Sequence, residues 1–357
     1  MRTALRLAAG LSCTAILALC AASSNLQPGK ADLKAAGALA FGPDGLLFVG
    51  DTPGASIWAL DVRDNQPAKA SAGVEVKGIN EKIAAMLGTA PDQILINDTA
   101  VNPVSKNIYL SVSRGRGPEA TPVILRVDAA GKISEVALDN IPHSSVRFAD
   151  PPAASTNGRQ VETITTIAYV DGNVVVAGLS NEEFSSTLRS IPFPFTTADK
   201  GAGIQIYHGS HGRFETAAPV RTFVPYEIGN QKEILAAYTC TPLVKISVSD
   251  LKPGAKVQGT TIAELGAGNR PLDMIVYEKG GKHFILMANS SRGVMKLQAD
   301  NLDTYKPITA HTEITGVPYE TIGDLKGVQH LKKLNDNMAL ILQSAGSSLD
   351  LRSIALP

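Results

Sequence analysis

Few residues in this 357-residue chain carry the chemistry of a reactive or ligating site, and they are widely separated along it. Cys240 sits in LAAYTCTPLVKI, residues 235–246. A thiolate there would act as a nucleophile or a soft metal ligand, given a nearby base or cation to lower its pKa. Nothing within YTCTP supplies that group, so the plainer reading is a small, half-buried residue at a strand end. An activating partner would have to arrive through the fold, from Arg270, Arg292 or His330. His208 and His211, in YHGSHGRFE, have ligand chemistry, but Gly209 and Gly212 mark a hairpin turn at the outer edge of a sheet, where solvent exposure is expected. Asp98, Glu162, Glu182 and Glu183 are hard oxygen donors that would suit calcium if they converged. Arg114, Arg116, Arg270 and Arg292 are the opposite constellation: guanidinium groups on one face grip a carboxylate or phosphate through paired hydrogen bonds. In GAGNRPLDM the glycines allow close approach and Pro271 fixes the chain directly after Arg270. No glycine-rich phosphate loop, paired zinc motif, haem-attachment CxxCH or GxSxG nucleophile elbow is present.

These residues can meet only if a fold gathers them. The segment GALAFGPDGLLFVGDTPGASIWALDV, residues 37–62, alternates short apolar runs with turn residues, which is the pattern of a β-meander. Similar units return as DTAVNPVSKNIYLSVSRGRG, ITTIAYVDGNVVVAGLS, RTFVPYEIGNQKEILAAYTC, PLDMIVYEKGGKHFILMANS and GVQHLKKLNDNMALILQSAG. Six copies at the period of propeller repeats predict an all-β fold, a six-bladed β-propeller, with seven blades also fitting if residues 78–97 or 138–160 hide strands. The last copy ends after three strands, so pairing of N- and C-terminal segments, through residues 27–35, is expected to close the ring. GINEKIAAMLGTAPDQ, residues 78–93, reads as an inserted helix whose Ile83, Met86 and Leu87 pack on the ring.

In a propeller the loops between second and third strands share one face with the starts of the innermost strands. Aligning the copies puts Asp51, Arg114, Asn181 with Glu182 and Glu183, Cys240, Asn289 with Arg292, and Ser344 in equivalent loops. Asp98, Glu162, Arg270 and His330 fall at the starts of inner strands. The expected ligand-binding set is therefore Cys240, Arg270, Arg292, Asp98, Glu162, His330, Arg114 and Asn181. Residues 140–162, rich in Pro, Ser and Asn, read as a long loop that either covers the channel mouth with His143, Arg147 and Asp150 or runs over the surface.

LAFGPDGLLFVGD resembles the blade signature of the broad NHL, gluconolactonase-like and quinoprotein-type propellers, in which a Pro-Asp-Gly turn joins the first two strands. The resemblance covers one blade well and the others loosely. It implies the fold, and it implies a channel-bound calcium or cofactor for an enzyme of this type. The chain departs from the calcium-binding pattern because its first blade opens with AAGALAF, which offers no carboxylate. The architecture hosts hydrolases, redox enzymes and passive binders alike.

The 33 basic and 33 acidic residues cancel, so bulk charge favours neither nucleic acid nor an anionic membrane. A small polar or anionic molecule, or an envelope protein, is the expected partner of a monomer. Arg2 and Arg6 precede an apolar run over residues 7–22 and then small and polar residues, the pattern of a secretory leader over residues 1–24. Residues 25–357 are then one exported domain, periplasmic or extracellular. A lipid anchor at Cys20 is disfavoured by the bulky Leu19 before it. With Cys13 and Cys20 gone, one thiol cannot build a disulfide framework, and stability must come from a core.

Overall fold

Period-two runs bounded by glycine, asparagine and aspartate fold as strands throughout the computed structural model, which describes residues 25–68, 73–153, 158–240 and 242–357. The leader and lipid-anchor readings lie outside these residues. Six small, mainly antiparallel sheets form a ring. The first sheet shows how local sequence sets a blade. Leu39–Phe41 turns through Pro43–Gly45 into Leu46–Asp51, which pairs with Ser56–Asp61. The turn places Asp44 at φ 55° and Gly45 at φ 76°, so its glycine meets a left-handed requirement.

Blade 2 is Ile94–Val101, Ile108–Arg114, Thr121–Val127 and Ile133–Glu135. Blade 3 begins with Thr166–Val170 and reaches Ala202–His208 with Arg213–Glu215 outside it, blade 4 runs from Thr222–Ile228 through Thr260–Leu265 to Ile314–Gly316, and blade 5 from Pro271–Lys279 to Tyr319–Ile322. Blade 6 holds Val328–Lys333, Met338–Ala345 and Ser348–Ala355.

The blades do not follow one another around the ring in chain order. The innermost strand of blade 1 lies between those of blades 2 and 3, and that of blade 2 lies between blades 1 and 6. Six apolar clusters, one at each interface, give the same sequence of neighbours: 2, 1, 3, 4, 5, 6 and back to 2. The chain therefore leaves blade 1 after Asp61, passes blade 6 and enters blade 2 from that side. It then returns to blade 1 through Ile141–Arg147, the strand that pairs with Ser56–Asp61.

This path corrects three expectations. Residues 141–147 are a sheet strand and not part of a loop over the channel: His143 packs beside Trp58, with ring centroids 5.4 Å apart. Their alternation was hidden because this strand is only half buried at the ring's edge. The missing fourth strand of blade 6 is Glu75–Val76, paired with Arg352 and Leu351, while Gln27–Gly29 pairs with Ile141–His143 at the edge of blade 1. The inserted helix is present as Ile79–Leu87, with Ile83 buried and Leu87 packed at the margin, but Met86 is 41% exposed.

Candidate functional site

The inner strands of blades 2, 6 and 5 are ring neighbours, and each carries a register shift at one end: between Ile96 and Asp98, between Val328 and His330, and between Pro271 and Asp273. Such bulges re-aim a side chain where pairing is interrupted. Here they bring Asp98, His330 and Asp273 together. A fourth group, Lys332, follows His330 at the spacing that keeps both on one face of the strand.

Lys332 Nζ lies 3.2 Å from Asp98 Oδ1 and 2.9 Å from Asp273 Oδ2, and His330 Nδ1 is 3.5 Å from Asp98 Oδ1. Backbone amides complete the carboxylate shells. Asp98 Oδ2 accepts from Leu39 N–H of blade 1 at 2.8 Å, and Asp273 Oδ2 from Leu331 N–H of blade 6 at 2.9 Å. Burial pushes the Asp98 carboxyl up, but Lys332, His330 and the Leu39 amide outweigh it and hold it well below the usual carboxylate range. For Asp273 burial prevails over Lys332 and the carboxyl is raised. Burial alone would lower Lys332, but Asp273 and Asp98 keep it above the ordinary lysine value and charged.

Asp98, Asp273 and His330 also form a donor set, with ligating atoms mutually within 4.8 Å. They fit calcium poorly. Both carboxylates already face an ammonium at the position a cation would take, and the remaining donor is an imidazole rather than an oxygen. Two of the other acidic candidates are elsewhere: Glu182 pairs with Lys200 and Glu183 with Lys256, all at exposed positions.

Above this cluster the channel opens into a cavity of about 690 Å³ that merges with a second of about 540 Å³. Both are lined by Asn97, Val161, Ile164, Arg221, Arg270 and His330. The short helical turn Arg159–Glu162, directly before the inner strand of blade 3, delivers Val161 and Glu162 to the rim. Glu162 Oε1 is 2.6 Å from an Arg221 guanidinium nitrogen, and Arg221 Nε donates to Thr239 Oγ1 at 3.0 Å. Arg270, which directly precedes the blade 5 inner strand, has its backbone N–H held by Ser290 Oγ at 3.0 Å, but its guanidinium has no hydrogen-bond or carboxylate partner among the described residues. Burial and then the neighbouring Arg221 hold it below the ordinary arginine value, opposed by Glu162. Exposed Val161 and buried Ile164 give the same mouth an apolar flank.

Of the eight candidate residues, the structure gathers Asp98, Glu162, Arg270 and His330 around the channel. The other four line neither cavity. Arg292 donates to Ala267 O at 2.9 Å and braces the loop before Arg270. Arg114 is exposed at the end of a blade 2 strand, and Asn181 N–H donates to Asp150 O. Cys240 lies farther out, beside His208 and His211. Asp150, expected over the channel, is buried against Arg189 at 2.8 Å. Sequence reasoning missed Arg221, Asp273 and Lys332. Strand periodicity carried a signal for Lys332, two residues after His330, but Arg221 and Asp273 required knowledge of the bulges and of the ring order.

No protein-family model matches the chain, and no curated protein matches it. Solved structures do. A putative oxidoreductase (glucose dehydrogenase) from Thermus thermophilus is 12% identical, with 92% of this chain and 100% of that one covered at a TM-score of 0.36. A second glucose dehydrogenase is 12% identical at a TM-score of 0.39, covering 94% and 99%. Drosophila plexin A, in complex with semaphorin 1b, is 9% identical at 0.42, covering 93% and 87%. The likeness is one of fold alone, and it extends to named enzymes and to a chain bound to a protein partner.

Proposed function

We propose that the channel mouth binds a small organic anion, a carboxylate or phosphate with an apolar flank, and that Arg270 is its principal anchor. The observation that carries this reading is the unpaired Arg270 guanidinium over the cavity, beside an Arg221 already neutralised by Glu162. A guanidinium offers parallel donors to either oxyanion, and Val161 and Ile164 offer the adjoining apolar surface. The calcium-dependent enzyme implied by the resemblance is disfavoured by Lys332, which answers the carboxylate charge from within the chain. The same reading places the chain outside the cytoplasm, exported by the leader pattern, where such a binder would meet diffusible acids.

Titration calorimetry against a panel of small mono- and dicarboxylates, sugar acids and sugar phosphates tests the anchor. Loss of one charged hydrogen-bonding group costs roughly 1.5–3 kcal/mol, so Arg270→Ala should weaken the best ligand about 10- to 100-fold while leaving the far-ultraviolet circular dichroism unchanged. Arg270→Lys should restore only part of it, because the paired donors are lost. Binding that is indifferent to Arg270→Ala would overturn the proposal.

A further inference from the structure

On the same face as the channel mouth, blades 3 and 4 bring together the histidine pair and the cysteine that the sequence left unconnected. Ala202–His208 is the fourth strand of blade 3; the turn Gly209–His211 follows it, and Arg213–Glu215 pairs back along it. This hairpin returns Glu215 to both rings. Its Oε2 meets His208 Nδ1 at 2.9 Å and its Oε1 meets His211 Nδ1 at 2.8 Å, while Arg213 Nε donates to Oε1 at 3.1 Å. One carboxylate therefore fixes two imidazoles in the tautomer with hydrogen on Nδ1, leaving the two Nε2 lone pairs to ligate. That is the outer hydrogen bonding which orients histidine ligands at metal sites.

Cys240 arrives from blade 4, in the loop between its second and third strands, at φ 63° with its N–H held by Asn269 O at 2.8 Å. A nitrogen of His208, a nitrogen of His211 and Cys240 Sγ all lie within 4.8 Å of one another. His208 is only 3% exposed, against the solvent exposure expected from its turn, and its Nε2 has no hydrogen-bond partner among the described residues. A second buried atom without a partner, Glu264 Oε2, belongs to the carboxylate whose Oε1 takes the Gly209 N–H of this turn.

We propose that His208, His211 and Cys240 bind a thiophilic transition-metal ion, zinc or copper, with Glu215 holding both imidazoles in place. Two imidazoles and a thiolate select these ions over calcium or magnesium, which want oxygen. Metal–ligand bonds of about 2.0–2.3 Å need only a modest closing of the three atoms. His211, with a side chain 44% exposed, leaves one side of the site open for water or an outside ligand.

The full-length mature chain, loaded with equimolar zinc and copper and then desalted, should retain close to one ion per chain by elemental analysis; which ion remains distinguishes the two. Cobalt(II) titration should produce a thiolate-to-cobalt charge-transfer band. Cys240→Ser should abolish that band, His211→Ala at its exposed position should weaken cobalt binding by at least tenfold, and Glu215→Gln should weaken it about 10- to 100-fold with every ligand intact. A chain that retains no ion, or His211→Ala and Cys240→Ser variants that bind cobalt as the parent does, would overturn the assignment.

Discussion

Lys332 decides the character of the channel floor, because it converts two neighbouring carboxylates from a cation site into an internal ion network. Its removal should expose that role. Replacing one partner of a largely buried network leaves its opposite charges uncompensated, so Lys332→Met should lose about 3–5 kcal/mol at neutral pH in urea unfolding. The pH dependence has a definite sign. In the parent, Asp98 is held below the ordinary carboxylate value, so it contributes stability above about pH 4 that disappears as the pH falls further. Asp273 is raised, so its contribution is present at low pH and fades as the pH climbs through its folded-state value. In Lys332→Met the two carboxylates should share a proton in place of the ammonium, and the deficit against the parent should narrow between about pH 7 and pH 4.5. A deficit that stays constant over that range would show that Lys332 acts through packing alone. At this scale the sequence was legible by residue type and not by partner. Arg270 and Asp98 are recognisable as site chemistry from their loops, but nothing in GVQHLKK says that Lys332 meets a carboxylate 234 positions before it and another 59 positions before it.

Among the elements, the shortest strand has the largest structural consequence. Glu75–Val76 supplies only two residues to blade 6, yet it pairs with the C-terminal strand Ser348–Ala355, and Val76 is 2% exposed within the cluster shared by blades 2 and 6. Further ties hold that edge: Val74 N–H donates to Ser353 Oγ at 2.9 Å and Gly78 N–H to Asp350 Oδ1 at 2.9 Å. Val76→Ala should therefore cost about 1–3 kcal/mol through a buried cavity, whereas Lys77→Ala beside it, on an exposed side chain, should stay within about 0.5 kcal/mol. Equal effects of the two substitutions, read from thermal or urea midpoints, would argue that the strand is not a closure. The six repeated units and the inserted helix were legible here because apolar period and turn residues are local signals. Glu75–Val76 and Ile141–Arg147 were not, because a two-residue strand has no period and Ile141–Arg147, in the outer part of blade 1, is only half buried.

For the whole molecule, the exchanged order of blades 1 and 2 ties segments far apart in the chain to one another across blades 1, 2 and 6. Blade 1 is finished by residues that follow blade 2, and blade 6 by residues that precede it. Such interlocking makes most stabilising contacts long-range and should couple the blades into one unfolding unit, although chains of this size commonly unfold through intermediates. The chain contains a single tryptophan, Trp58, in blade 1, which makes a local reporter of that coupling. Leu342 is fully buried at the interface of blades 6 and 2, one interface away from the blade 1–2 cluster against which Trp58 packs. Leu342→Ala should cost about 2–5 kcal/mol. If the ring is one cooperative unit, the denaturation midpoint reported by Trp58 fluorescence should fall together with the one reported by far-ultraviolet circular dichroism. A Trp58 transition that stays at the parent's midpoint while circular dichroism shifts would mean that blades 1 and 6 unfold separately, and that the crossed connections determine topology without transmitting stability around the ring.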